Sequence, residues 1–272
     1  MHKFMEMDKI QVFKIGGNVV DDREKLEKFA AGFATVPGPK VLIHGGGAIA
    51  SQMQKKLGME PVMIEGRRVT DADTLRIVTM VYAGWCNKSI VALLQKNGCN
   101  AIGLSGADGA VIKAVKRPPV KLGTSGRTVD YGHVGDITPD GVDSGLIDGF
   151  LKAGLTPVFC AITCDTEGNL LNTNADTVAS AIAVSLASTA CTDLIYCFEK
   201  DGVLADRNDD SSLIERITPA YFEELKARGI VADGMLPKLE NAFKAINSGV
   251  ERVVIKNSSN IGNSRQTVLC AE

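Results

Sequence analysis

Short apolar runs alternate with longer amphipathic segments along almost the whole chain. The runs Ile10–Ile15, Val41–His44, Cys99–Ser105, Thr156–Ala161, Asp193–Phe198 and Arg252–Ile255 read as buried strands, several of them ending at glycine. Between them the 3.6-residue period predicts helices over Asp22–Thr35, Ala48–Leu57, Asp71–Asn97, Asp143–Ala153, Ala175–Ala190, Pro219–Arg228 and Leu236–Asn247. In the first, Leu26, Phe29, Ala30 and Phe33 share one face and the charges take the other; the long third helix is expected to bend near Gly84. The texture changes between Ala110 and Thr138. There Val111–Val115 and His133–Ile137 flank a Pro/Gly-rich stretch, Pro118–Gly132, which reads as β-hairpin excursions with mobile tips. Asp165–Leu171 reads as a tight hairpin. Alternating strand and helix predicts an α/β fold: a doubly wound, mostly parallel central sheet, helices on both faces, with the hairpins as additions. Ligands of such sheets bind outside the carboxyl ends of the strands, so those ends are where chemistry is sought.

Composition narrows the function classes. The 272 residues are 45% hydrophobic and 23% charged, with a formal net charge of −2. That balance offers no electrostatic reason to bind nucleic acid or an anionic membrane. Seven cysteines without a C-x-x-C pair and only three histidines argue against a disulfide framework, a zinc site or a multi-His metal centre; no metal-ligating residue is assigned. The thiols read as those of a reducing cytoplasm. No signal pattern opens the sequence, and the longest uncharged run, between Asp176 and Asp193, is shorter than the ~20 apolar residues of a membrane span. One domain over 1–272 is expected, since no linker or repeat interrupts it.

Five segments carry candidate chemistry. In Lys14-Ile15-Gly16-Gly17-Asn18 a lysine near a strand end needs water or an anion, and two glycines expose backbone N–H groups; phosphate suits both, as an ordinary turn would. In His44-Gly45-Gly46-Gly47 three glycines let backbone wrap a ligand ahead of a helix N-terminus, while His44 itself reads as a core histidine. Gly45-x-Gly47-x-x-Ala50, with Glu65 ending the strand-like run Pro61–Glu65, also fits a relaxed dinucleotide fingerprint, so a dinucleotide-dependent oxidoreductase is a rival. In Arg67-Arg68-Val69-Thr70-Asp71, Thr70 or Asp71 caps the next helix, and Arg68 is either a carboxylate partner or a surface arginine. In Asn172-Thr173-Asn174-Ala175-Asp176, capping by Asn174 and dipole compensation by Asp176 leave Asn172 unexplained. In Asp233-Gly234-Met235-Leu236-Pro237-Lys238, Pro237 marks the first helical turn and Lys238 is a cation at a positive helix end. No Walker phosphate loop or protein-kinase catalytic loop is present.

Together and in this order, with Gly132-His133-Val134-Gly135 between the third and fourth, these segments resemble the amino acid kinase family, in its branch acting on N-acylated glutamate, from about Lys9 to Ile255. The resemblance implies ATP-dependent phosphorylation of the side-chain carboxylate of N-acetyl-L-glutamate, a step of arginine biosynthesis, with ATP and Mg²⁺ as cofactors; N-succinyl-L-glutamate is the alternative substrate. It implies Lys14 and Lys238 as charge stabilisers and Asp176 as the residue orienting them. Gly46, Gly47, Arg68 and Asn172 would hold the acylated amino acid, and Gly16, Gly17 and Glu199 the nucleotide. Glu199 stands where the family commonly has aspartate, and Ala107 where relatives commonly have lysine. A lobe of about 1–186 would bind the amino acid and dimerise, and a lobe of about 187–272 would bind nucleotide. Because only nine residues precede the first strand, a homodimer without arginine inhibition is expected.

Overall fold

A computed structural model describes residues 9–123, 126–231 and 235–272. Eight strands form the central sheet in the order Arg216–Ile217, Gln266–Leu269, Arg252–Asn257, Thr192–Phe198, Ile10–Ile15, Lys40–His44, Thr156–Cys160, Ala101–Leu104. The last six are parallel; Gln266–Leu269 runs antiparallel to Arg252–Asn257 and carries Arg216–Ile217 with it. The doubly wound parallel sheet expected from the alternation is present, and its first strand keeps its predicted bounds. The reversed pair at one edge did not show in the periodicity, because two to four residues are too few to display it.

Side chains alternate across this sheet. Ile10, Val12, Val41 and Ile43 enter one core with Val178, Ile182 and Leu186 of the helix Ala175–Ala187 and with Leu239 and Phe243 of Leu236–Asn247. Phe13, Ile15 and Leu42 enter the other, against Leu26, Phe29 and Phe33 of Arg23–Thr35. Lys14 has the parity of Val12, so it faces the helix Ala175–Ala187. Register aligns the strand ends: Lys14 lies beside Tyr196 and Ile43, and Ile15 beside Cys197 and His44. Three glycine-bearing loops therefore leave the sheet at one edge, side by side.

The helix starts follow local chemistry. Asp22, Asp71, Asp143, Asn174 and Thr218 each accept backbone N–H groups of the first turn through their side chains. The bend expected near Gly84 is a π-helical turn, Met80–Cys86, between Ala72–Thr79 and Asn87–Lys96. This composite helix is long and apolar enough to cross a membrane, but Ile77, Val78, Val81, Ile90 and Leu94 of it are buried in the core. A second sheet joins Leu170–Asn172, Ile162–Cys164, Ile112–Lys116 and Gly135–Val142, and Val120–Lys121 pairs with Thr128–Val129, in keeping with the hairpin excursions. The strand reading of Pro61–Glu65 needs correction. Only Met63–Ile64 is strand, paired with Arg67–Arg68, and exposed Glu65 sits in the turn at φ 47°.

Candidate active site

Two cavities open at the carboxyl edge. The larger, about 640 Å³, is lined by Lys14, Gly16, Gly17, Asn18, Phe198, Glu199 and Lys238 among others. The smaller, about 210 Å³, is lined by Gly45, Gly46, Gly47, Arg67, Arg68, Tyr82, Asn172 and Asn174, and by Ala175. The ion pair between Lys14 Nζ and Asp176 Oδ1, at 2.7 Å, joins the two sets of walls, because Asp176 directly follows Ala175.

Sheet register and a helix cap build that ion pair. Lys14 is 8% exposed and points at the first turn of Ala175–Ala187, where the Asn174 cap turns Asp176 toward the sheet. Lys238, in the first turn of Leu236–Asn247, lies near enough to feel the charges of both Asp176 and Lys14. Its pKa is held below the usual lysine range, chiefly by burial and further by the charge of Lys14, while Asp176 pulls the other way. Two cations and one carboxylate thus leave net positive charge at the cavity floor. Asp233 and Gly234 of the predicted segment lie outside the described residues.

Arg68 is buried rather than a surface residue. Its Nη2 donates to the Gly47 carbonyl at 2.8 Å and to Ser51 Oγ at 2.7 Å, and Nη1 donates to Gln54 Oε1. Gln54 is fixed in turn by donating to Thr74 Oγ1 at 3.1 Å. Arg68 also acts on the buried Tyr82 hydroxyl. The guanidinium is thereby pinned against the glycine loop. Asn172, unexplained by capping, donates from Nδ2 to Thr70 Oγ1 at 3.0 Å. Short backbone bridges bring these segments together: Thr70 with Gly132, and Val134 with Asn172. Gly132, at φ 75°, is required there, since a Cβ would lie 2.3 Å from the Thr70 carbonyl oxygen. At Gly46 a Cβ would meet Tyr82 and Cys86 at 3.0 Å. At Gly16 it would meet no protein atom within 4 Å, so the packing of the chain does not itself demand glycine at that position.

Glu199 lines the larger cavity, and its carboxylate accepts a hydrogen bond from Lys25 Nζ at 3.0 Å. That bond holds its pKa below the usual carboxylate range. His44 is a core residue, as read from the sequence. Its Nδ1 contacts the Gly45 carbonyl at 2.7 Å, its Nε2 faces Asn87 at 3.1 Å, and burial pushes its pKa down to about 4. Folding therefore keeps it neutral. The associated stability is complete above the unfolded pKa of about 6.5 and is lost as pH falls from there to about 4, a loss of roughly 3 kcal/mol. Urea unfolding of the chain between pH 7 and pH 4 measures this, and the step is expected to shrink in His44→Gln.

Sequence reasoning missed Ser51, Gln54, Tyr82, Lys25 and Phe198. Lys25 lies within an ordinary charged helix face and Phe198 at the end of an apolar strand, while Ser51, Gln54 and Tyr82 carry no local mark, and each reaches the site from an element whose position only the tertiary fold sets.

A family model described as the amino acid kinase family matches residues 9–257. The chain belongs to the amino acid kinase family. Within this family it groups with acetylglutamate kinases. It is 48% identical to that of Phocaeicola vulgatus over 96% of this chain and 98% of the relative. It is 49% identical to that of Cytophaga hutchinsonii over 92% and 91%, and 40% identical to that of Methanopyrus kandleri over 96% and 100%. Among solved structures, smu.665 from Streptococcus mutans superposes with a TM-score of 0.71 at 27% identity, covering 97% of this chain and 99% of that one. Giardia carbamate kinase superposes at 0.68 and 15% identity, covering 97% and 99%, which shows the amino acid kinase fold alone. The displaced Glu65 and these relatives together leave the oxidoreductase reading without support.

Proposed function

We propose that the chain transfers the γ-phosphoryl group of ATP to the side-chain carboxylate of N-acetyl-L-glutamate, giving an acyl phosphate in arginine biosynthesis. The observation that carries this reading is the Lys14–Asp176 pair joining a large lysine-floored cavity to a small arginine-bearing one. ATP fits the larger cavity, with its phosphates on the Gly16-Gly17 backbone, where Gly16 leaves room that the fold does not use. Glu199 stands at the wall of that cavity as a nucleotide contact. The acylated amino acid fits the smaller cavity, its α-carboxylate toward Arg68 and its acylated amine within reach of Asn172, between Gly46 and Gly47.

The chemistry asks little of the protein beyond alignment and positive charge. The attacking carboxylate is already ionised at pH 7, so no general base is needed, and buried His44 is neutral and engaged. A carboxylate oxygen forms the new bond to the γ-phosphorus as the bond to the β-bridging oxygen breaks, and that electron pair leaves on ADP. Lys14 and Lys238 offset charge on the group in flight, and Asp176 aims Lys14 through their ion pair. Among the described residues no three His, Cys, Asp or Glu side chains converge on a metal position. Mg²⁺ would therefore ride on the nucleotide phosphates and water.

In this reading residues before about 186 bind the amino acid and those beyond bind the nucleotide, with Lys14, Gly16, Gly17 and Asn18, which line the larger cavity, contributing to the nucleotide side. The reading includes a homodimer. Supporting it, Met53, Leu57, Val62, Met63, Met80 and Trp85 expose apolar surface on neighbouring elements. It also includes the cytoplasm, consistent with seven free thiols.

The test is ADP release with Mg-ATP and N-acetyl-L-glutamate, N-succinyl-L-glutamate, glutamate or aspartate, with hydroxylamine trapping any acyl phosphate as hydroxamate. Turnover and hydroxamate with N-acetyl-L-glutamate are expected; activity only with a free amino acid would overturn the reading. A pH dependence follows as well. Lys238 acts when protonated, so kcat is expected to fall as pH rises through its pKa, below the ordinary lysine value of about 10.4. In Lys238→Arg, whose guanidinium stays charged, that limb moves to higher pH at reduced kcat.

A further inference from the structure

The two site lysines are held in different ways. Lys14 has a carboxylate at 2.7 Å. Among the described residues no carboxylate or carbonyl oxygen bonds Lys238. Its ammonium lies instead 4.3 Å from the centroid of the Phe198 ring, and that of Lys14 lies 6.0 Å from the same ring. Phe198 stands at the end of Thr192–Phe198 and lines the larger cavity. Two residues back, on the same face of the strand, buried Tyr196 stacks on it with centroids 6.1 Å apart and planes within 7°. The ring is thus a plate anchored in the sheet, with both ammonium groups near it.

Three things oppose a cation where Lys238 sits: burial, the charge of Lys14, and the positive end of its own helix, Leu236–Asn247. A second carboxylate would hold it but would cancel charge that a phosphoryl group needs. The face of an aromatic ring attracts an ammonium and leaves its charge whole.

We infer that Phe198 is a positioning residue for phosphoryl transfer, whose ring face holds the Lys238 ammonium beside Lys14 and yields it to the incoming phosphate. This rests on the reading of Lys238 as a charge stabiliser in the proposed reaction. Substrate contact is not required of the ring; it acts through the lysine.

Steady-state kinetics of the full chain with Mg-ATP and N-acetyl-L-glutamate test this, with folding checked by circular dichroism. Phe198→Leu keeps apolar bulk and removes the π face. It is expected to lower kcat about 5- to 30-fold, the equivalent of ~1–2 kcal/mol, with KM for both substrates changed less than about threefold. Phe198→Tyr restores the ring and is expected to keep kcat within about threefold of the parent. In a Lys238→Ala background, Phe198→Leu is expected to cost no further kcat. A rise in KM for ATP at unchanged kcat would make Phe198 a cavity wall only and overturn the inference. So would an equal loss in the Leu and Tyr variants, or the same Phe198→Leu loss without Lys238. If Lys238→Ala itself keeps full activity, the underlying reading fails; if Lys238→Ala is crippled while Phe198→Leu is not, only the positioning role fails. Should Phe198→Leu not fold, Phe198→Met takes its place in the same comparison.

Discussion

Replacing Lys238 by alanine is expected to lower kcat by about 10²–10³, the ~3–4 kcal/mol that loss of one preorganised charge stabiliser costs. KM for N-acetyl-L-glutamate is expected to change little, because Lys238 lines the larger cavity and not the smaller one. The fold should survive, since Lys238 makes no hydrogen bond or ion pair among the described residues and its removal also relieves repulsion with Lys14. Lys14→Ala makes the contrast. It removes the same kind of charge from the reaction but also strips Asp176 of its partner at 2.7 Å, so a stability loss accompanies the kinetic one. Asp176→Asn separates the two roles: both lysines remain while the group that aims Lys14 is weakened. A loss below tenfold for Lys238→Ala, in a protein with the parent's melting temperature, would remove Lys238 from the mechanism.

The second large effect is expected at Arg68. Arg68→Ala should raise KM for N-acetyl-L-glutamate roughly 30- to 160-fold, about 2–3 kcal/mol for truncating one partner of a buried, hydrogen-bonded charge pair. KM for ATP should change little, since Arg68 lies outside the larger cavity. Lysine is not a substitute. A single ammonium cannot serve Gly47, Ser51 and Gln54 at once and still present a flat fork to a carboxylate. Arg68→Lys is therefore expected to recover only a small part of the binding. Steady-state kinetics with each substrate varied in turn decide this. An effect confined to kcat would move Arg68 from substrate binding to the chemistry and would sink this assignment.

The difference between Lys238 and Arg68 shows where the sequence was legible. Lys238 could be singled out before any fold was known, because proline marks the first turn of its helix and a cation there is electrostatically misplaced. Lys14 was equally visible as a lysine inside an apolar strand. For Arg68 the residues by themselves favoured a surface arginine over a ligand. What decides between them is burial against the helix Gly47–Lys56, whose Ser51 and Gln54 carry no mark of their own. Glu65 shows the opposite error. The short apolar run Pro61–Glu65 looked like a strand, but so short a run does not separate a hairpin arm from a sheet strand, and Glu65 sits in a turn.

The sequence by itself determined the things that neighbours along the chain control. These are the main helices and strands of the central sheet, the helix starts at Asp22 and Asp143, the cap at Asn174, the glycine loops after two strands, and two lysines placed where an anion would suit them. Backbone propensity, hydrophobic period and helix-end electrostatics act over a few residues, so they leave their record locally. Only the tertiary structure decided which of these meet. Parallel register set Lys14 beside Tyr196, strand parity turned it toward Asp176, and the bridges Thr70–Gly132 and Val134–Asn172 closed the small cavity. The Phe198 plate under Lys238 belongs to the same class. Such contacts join residues far apart in the chain, and their existence depends on sheet order and packing, which no local pattern encodes.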